Sequence, residues 1–335
     1  MRSVHLVVPD LFLPKDFAEE ASAGLSLPAL EKMLGRGHSE LHEPVSLEEF
    51  LCDRFDAAYR GDAPIAAISA AYDGLGSGFW MRADPVNLEL QRDRLVLSEV
   101  MVGQDEAFAL CASLNQHFAG QGMEFLSPHP QRWYVRLSEL PRIRTAPLSQ
   151  VAGGDVRGAL PNGEDAARWH QLFNEIQMLL HAHPLNEARD ARGEVAINSL
   201  WMWGAGVMEG ALQKSYDGAS SDEQLVEMFA SAADVPFSAW PASWHEEKTQ
   251  GRQLLVWTGL RSALRRGDLA AWRSALQDFE NSHARPLWQA LRSGRIASLQ
   301  IDIPGRAGMH QVKLTRSDSW AFWRRSRPLA EYSMV

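Results

Sequence analysis

Cysteine is scarce. The 335-residue chain holds two, Cys52 and Cys111, and no Cys-x-x-Cys pair. That excludes a disulfide framework and a zinc ribbon, and it fits a reducing compartment. Long apolar runs are also missing. The opening MRSVHLVVPDLFLPKD carries one brief apolar stretch, broken at Pro9 and Asp10. It is too short for a signal segment or a bilayer span, so a soluble, cytoplasmic protein with no membrane partner is expected. An excess of positive charge is lacking as well. Lys and Arg total 33 against 42 Asp and Glu, a net charge of −9. A protein that neutralises phosphates along a nucleic acid needs a basic face, so no nucleic-acid partner is expected. A small basic pocket for a phosphate or carboxylate is compatible with that total. There is no internal repeat and no low-complexity tract.

What is present points to a folded α/β protein. Apolar residues make up 45% of the chain and charged residues 22%, enough for a sizeable core without a disordered composition. The length suits one large α/β domain or a core with an insert. Twelve tryptophans are expected in the core or in pocket walls, because an indole buries much area and keeps one donor. Trp320 and Trp323 are expected to seal the core beneath a terminal hairpin.

The periodicity predicts a buried strand over residues 4–8 and a short helix over 27–34, with Pro28 early and Gly35 after its last turn. A helix is predicted from Ser46 to about residue 59. Ser46 followed by Glu49 is a capping-box pattern. FWMRADPVNLEL and DRLVLSE read as a hairpin, in which Asp84 and Asp93 read equally well as a carboxylate pair or as ion-pair partners of Arg82, Arg92 and Arg94. MEFLSP and RWYVRLSEL read as a second antiparallel pair. Residues 105–119 and 164–182 read as amphipathic helices. INSLWMW, an apolar run without strict alternation, fits a strand covered on both faces, as in a parallel sheet. RQLLVWTGL reads as another buried strand. ASLQIDIPGRAGMHQVKLT reads as a hairpin around its Pro-Gly turn.

The stretch HAHPLNEARDARGEVAINSLWMWGAG, residues 181–206, carries the chemistry. A strand that ends in Gly204-Ala205-Gly206 lets backbone approach a ligand at a sheet's carboxyl end. Asn186, Arg189 and Asn198 lie around it, and Arg is suited to bidentate contact with phosphate or carboxylate. For the glycines and Asn186 taken alone, a tight turn and a loop cap are the better account. His181 and His183, two apart at a helix end, do not share a helical face for a metal. GLGSG lacks the lysine of a phosphate-binding loop and precedes a strand, so it reads as a turn. RWYVRLSELPRIR and FWRRSR read as a solvated face or a partner surface.

FNEIQMLLHAHPLNEARDARGEVAINSLWMWGAG resembles archaeal-type, cofactor-independent phosphoglycerate mutases. The resemblance runs through Asn174, Glu175, His183, Pro184, Asn186, Arg189, Asn198, Trp201, Trp203, Gly204 and Gly206. LPALEKMLGRG and APIAAISAAYDGLGSGFWMRADPVNLE are similar to earlier segments of the same family, so the likeness covers about the first two thirds of the chain. It implies an alkaline-phosphatase-like fold: a mostly parallel α/β sheet flanked by helices, with a smaller α+β insert. The core is placed at residues 1–83 and 186–335 and the insert at 84–185.

Those mutases transfer a phosphoryl group through a serine beside two metal ions, which need carboxylate and histidine ligands. Asp10 is the counterpart of the first-strand Asp, though Leu11 replaces the usual Gly. Ser46 is the nearest counterpart of the nucleophile, but Leu47 replaces the expected Asp, and a helix cap is the better account of it. The ligand pattern of the carboxyl third is absent: His245, His283 and His310 stand far apart. No metal site and no cofactor are therefore expected; Mn²⁺ or Zn²⁺ belongs to the alternative of an active mutase or phosphatase. The chain also resembles the small bacterial family of regulators of pathogenicity factors, type E, through its Arg-Ala-Asp-Pro-Val strand and Trp-rich carboxyl end. The leading expectation is a degenerate, non-catalytic member with a regulatory role. Arg189, Asn186 and Asn198 would hold an anionic or phosphorylated ligand near Gly204 and Gly206, with Arg82 adding a contact. A rearranged phosphomutase and a protein-interaction scaffold are the alternatives.

Overall fold

A computed structural model describes residues 2–59, 61–245, 250–305 and 307–332. The strands in chain order begin with β1 (Ser3–Val7), β2 (His38–His42), β3 (Phe79–Gln91), β4 (Arg94–Glu99) and β5 (Met123–His129). They continue with β6 (Arg132–Leu137), β7 (Ile143–Arg144), β8 (Asn162–Gly163), β9 (Ser199–Gly206) and β10 (Gly218–Ser221). The last are β11 (Phe237–Ala239), β12 (Arg252–Val256), β13 (Ser298–Ile303) and β14 (Met309–Thr315). The chain divides into two compact units, Met1–Phe55 with Leu212–Val335, and Asp56–Ala211.

The first unit is built on a seven-stranded sheet in the order β11-β10-β12-β1-β13-β14-β2. β11, β10, β12, β1 and β13 run parallel; β14 and β2 add antiparallel pairings. The mixed α/β fold with a largely parallel, helix-flanked sheet is thus as expected. Strand alternation decides the layers. Val4, Leu6, Leu299, Ile301, Val312 and Leu314 face one apolar core, which the helices Lys15–Ser22, Pro28–Arg36, Leu269–Phe279 and Arg285–Ser293 cover. His5 points to the other face, where Phe50 of the helix Leu47–Arg54 meets it edge-on at 5.8 Å. The terminal hairpin forms as β13 and β14; its turn includes Arg306, which lies outside the described residues.

The second unit holds an all-antiparallel sheet, β4-β3-β6-β5, with β9 on the other edge of β3. Here the structure corrects the reading of β9. Every residue of β9 is buried, as its unbroken apolar run requires, but it pairs antiparallel with β3 and not with the parallel sheet. Cover on both faces, not strand direction, is what such a run encodes. β3 spans the expected boundary at residues 83 and 84, and its partner β9 follows the boundary at 185 and 186; the compact units divide at 55 and 211 instead.

Nine tryptophans are buried, as the indole count suggests. Trp320 and Trp323 are not among them: they are 52% and 70% exposed. The expectation that they seal the core is wrong, because Leu329, Trp288 and Leu314 already close that side.

Candidate functional site

Of the candidate residues, six fall in the second unit and two, Asp10 and Ser46, in the first. In the second unit β3 and β9 set the geometry. Arg82 lies between its cross-strand neighbours Tyr134 and Trp203, with the guanidinium 5.5 and 5.3 Å from their ring centroids. Its Nη2 donates to Asp84 Oδ1 at 2.5 Å, and the Trp203 indole N–H donates to Asp84 Oδ2 at 2.8 Å. Of the two readings open for Asp84, the ion pair with Arg82 is the one formed, with Asp84 buried and Arg82 nearly so.

Asn186 donates to Leu180 O and Ile197 O, and accepts from the Ile197 N–H. Asn198 exchanges two hydrogen bonds with the backbone of Leu88. Arg189 donates from Nε to Val195 O at 2.8 Å, from Nη1 to Glu106 at 2.7 Å and from Nη2 to Met101 O at 3.0 Å. Gly204, at φ +65°, lies in a one-residue bulge of β9, where Gly204 and Ala205 together oppose Met81 of β3. A Cβ on Gly206 would lie 2.4 Å from Pro64 Cβ, so this glycine lets the helix Ile65–Tyr72 start against β9. The donors and glycines singled out by sequence thus serve backbone groups, the carboxylates of Asp84 and Glu106, and close packing inside their own unit. His183 follows the same logic: Nδ1 accepts from Leu185 N–H, and Nε2 lies 2.9 Å from Ser113 Oγ.

Ser46 is an N-cap. Its Oγ accepts from the Glu49 N–H at 3.1 Å, while Glu49 Oε2 accepts from the Ser46 N–H at 3.0 Å and from its hydroxyl at 2.8 Å. Asp10, at φ +62°, follows β1 at the sheet's carboxyl end. Its Oδ2 accepts from Arg261 Nε at 3.0 Å, and Arg261 Nη1 lies 3.8 Å from Glu223 Oε2. Asp222, just after β10, accepts from the Thr258 N–H at 2.7 Å. Three carboxylates thus gather where α/β sheets place their ligands, and the cation among them is a guanidinium. No group of three or more His, Cys, Asp or Glu side chains among the described residues could hold a metal ion. A two-ion site needs converging carboxylates and imidazoles; carboxylates bound to Arg261 do not fit it.

Sequence reasoning missed a buried network on β1 and β13. His5 Nε2 is 2.7 Å from Asp302 Oδ2, and His5 Nδ1 is 2.8 Å from Tyr216 Oη. Gln300 and Gln311 also donate to Asp302. Burial lowers the His5 pKa against the opposing hydrogen bond and charge of Asp302. Burial pushes Asp302 up, but hydrogen bonds from His5, Gln311 and Gln300 outweigh it and hold the carboxyl below its ordinary value. A neutral imidazole donating to an ionised Asp302 and accepting from Tyr216 satisfies all three. Burial pushes Tyr216 up to about 12, in keeping with a protonated hydroxyl that donates to His5. Burial raises both thiols, Cys111 to about 11. The one local signal for this network was a polar residue at an inward position of two apolar strands.

His5 has a pH consequence. An imidazole whose folded pKa is depressed leaves the unfolded chain the better proton acceptor. Stability is complete above the ordinary value of about 6.5 and is lost as pH falls from there through the folded value. His183, His283 and His310 are lowered too, each chiefly by burial. The urea midpoint is therefore expected to fall between pH 7.5 and 5, with a shallower fall in His5→Gln. A midpoint that rises on acidification would contradict a neutral His5.

No family model matches the chain. It is similar to a probable 2,3-bisphosphoglycerate-independent phosphoglycerate mutase from Geobacter sulfurreducens, 28% identical over 155 residues, which are 45% of this chain and 39% of that protein. A 2,3-bisphosphoglycerate-independent phosphoglycerate mutase from Methanosarcina mazei is 23% identical over 193 residues, 53% of this chain and 48% of the relative. The matches thus span less than half the length of these curated relatives. Among solved structures, the PH0037 protein from Pyrococcus horikoshii shares the fold at a TM-score of 0.57 and 12% identity, covering 99% of this chain and 92% of that one. Over those segments the chain is similar in sequence to these phosphoglycerate mutases. No helix among the described residues is long and apolar enough to cross a membrane.

Proposed function

We propose that this is a degenerate phosphoglycerate-mutase-like protein, of the group that resembles regulators of pathogenicity factors, type E. It binds an anionic or phosphorylated ligand in a regulatory, cytoplasmic role and does not carry out two-metal phosphoryl transfer. The observation that supports this most is Arg261, whose guanidinium takes the carboxylates of Asp10 and Glu223. A carboxylate already neutralised by a covalently tethered cation has little left to offer a divalent ion. Ser46 adds to it: its hydroxyl donates to the Glu49 carboxylate within a capping box and accepts from the Glu49 N–H.

The test is metal content and turnover. Protein purified without chelator is expected to carry no stoichiometric Mn²⁺ or Zn²⁺. With either ion added, it is expected to leave 3-phosphoglycerate and p-nitrophenyl phosphate unconverted above the blank. Sustained turnover abolished by Ser46→Ala or Asp10→Asn would establish the active-mutase alternative.

A protein partner is a second reading with an observation of its own. Trp320, Phe322 and Trp323 are 52%, 81% and 70% exposed, and Arg292 lies 4.6 Å over the Trp320 ring. Exposed Trp with Arg is the composition of binding hot spots.

A further inference from the structure

The first unit has a second end. Asp10, Asp222 and Arg261 lie where the parallel strands finish; a cavity of ≈ 490 Å³ opens where they start. That volume is in the range of small-molecule sites. Register places one polar row across four strands there: His5 on β1 pairs with Gln300 on β13, Gln300 with Lys313 on β14, and Lys313 with His38 on β2. In-register neighbours share a face, so the four side chains stand side by side, and all four line the cavity.

The floor of this row is fixed and the rim is cationic. His5 is 2% exposed, and both His5 and Gln300 are held by Asp302. Lys313 is exposed, with Nζ 3.5 Å from Glu40. Arg324 is held toward the cavity by Asp318 at 3.2 Å and by Arg36 O at 2.7 Å. Arg252 lays its guanidinium 4.8 Å from the Tyr216 ring centroid and makes no ion pair among the described residues. Three permanent cations and two histidines therefore surround the cavity, with Asp318 as its one acidic lining residue. In a chain of net charge −9, this is a local reversal of sign.

We infer that this cavity, at the amino-terminal end of the parallel sheet, is a binding site for a compact, multiply charged oxyanion, phosphorylated or carboxylated. Lys313 and Arg324 meet its charge at one side and Arg252 at the other, and the Gln300 amide, which keeps one N–H beyond its bond to Asp302, offers a neutral donor between them. The inference rests on the reading of the protein as an anion binder and names where that anion sits.

Isothermal titration with pyrophosphate and, separately, with citrate tests it on the full chain. Lys313→Gln and Arg252→Gln change exposed side chains and are expected to keep the fold, checked by circular dichroism. Each is expected to weaken binding about tenfold or more, the loss of one charge-assisted contact. Arg266→Gln, an exposed charge outside the cavity, is expected to change it less than twofold. The stronger of the two probes assigns the phosphate or the carboxylate class. Binding that survives both cavity substitutions would overturn this site and leave the anion-binding reading standing. No binding of either probe by the unaltered protein would overturn both.

Discussion

Arg189→Met is expected to destabilise the unit Asp56–Ala211 by about 3 kcal/mol. Arg189 is 3% exposed, and its three donors satisfy two carbonyls and one carboxylate. Methionine keeps most of the stem volume and removes all three bonds. The carbonyls of Val195 and Met101 also lose a donor, but both residues are largely exposed, so water replaces part of it; most of the loss is the charge-assisted bond to Glu106, about 1.5–3 kcal/mol. Glu106 keeps Arg192 and the Gly103 N–H, which limits the loss on that side. The check is a urea melt followed by hydrogen exchange at residues 101–106 and 195–198. If the melt is unchanged while pyrophosphate affinity collapses, Arg189 is a ligand residue and the structural account fails.

Glu280→Ala is expected to cost the other unit more, about 3–5 kcal/mol. Glu280 is fully buried, in a π-helical turn Glu280–Ala284 between two α-helices. Its carboxylate accepts from the N–H groups of Ala29 at 2.9 Å and Leu30 at 3.0 Å, and from Arg285 Nε at 3.2 Å. The helix Pro28–Arg36 needs this. Leu27 at its N-cap has no side-chain acceptor, and Pro28 removes only one of the orphan donors. The cap comes instead from 250 residues further along the chain, where a negative charge also suits the helix dipole. Alanine leaves two buried donors without an acceptor and a cavity beside them. Glu280→Gln retains one acceptor oxygen and is expected to lose about half as much. Equal urea midpoints for the unaltered protein and Glu280→Ala would refute the distant cap.

The two substitutions mark how far local pattern reaches. Ser46 and Glu49 announce their cap in sequence because its partners are three residues apart. Glu280 announces nothing, because its partners are 250 and 251 residues away. The hairpin of β3 and β4 was legible from its turn and alternation. The pairing of β3 with β9, more than a hundred residues on, was not. Arg261 beside Asp10, at a separation of 251 residues, gave no local sign either.

The candidate site divides the same way. Its residue types were visible in the stretch 181–206, and so was the likeness to phosphoglycerate mutases. The occupation of Arg189 and Asn186 by Glu106 and by backbone carbonyls was not, since those partners lie on other segments; only the Arg82–Asp84 pair, two residues apart on β3, was within local reach. Sequence by itself determined the α/β class, most elements, one helix cap and the acidic net charge, all of which follow from composition and from interactions within a few residues. Tertiary structure alone decided which sheet β9 joins, which cation Asp10 faces, how Glu280 closes a distant helix, and that four strands bring His5, Gln300, Lys313 and His38 into one row. Those outcomes depend on loop closure over tens to hundreds of residues, whose geometry no local propensity carries.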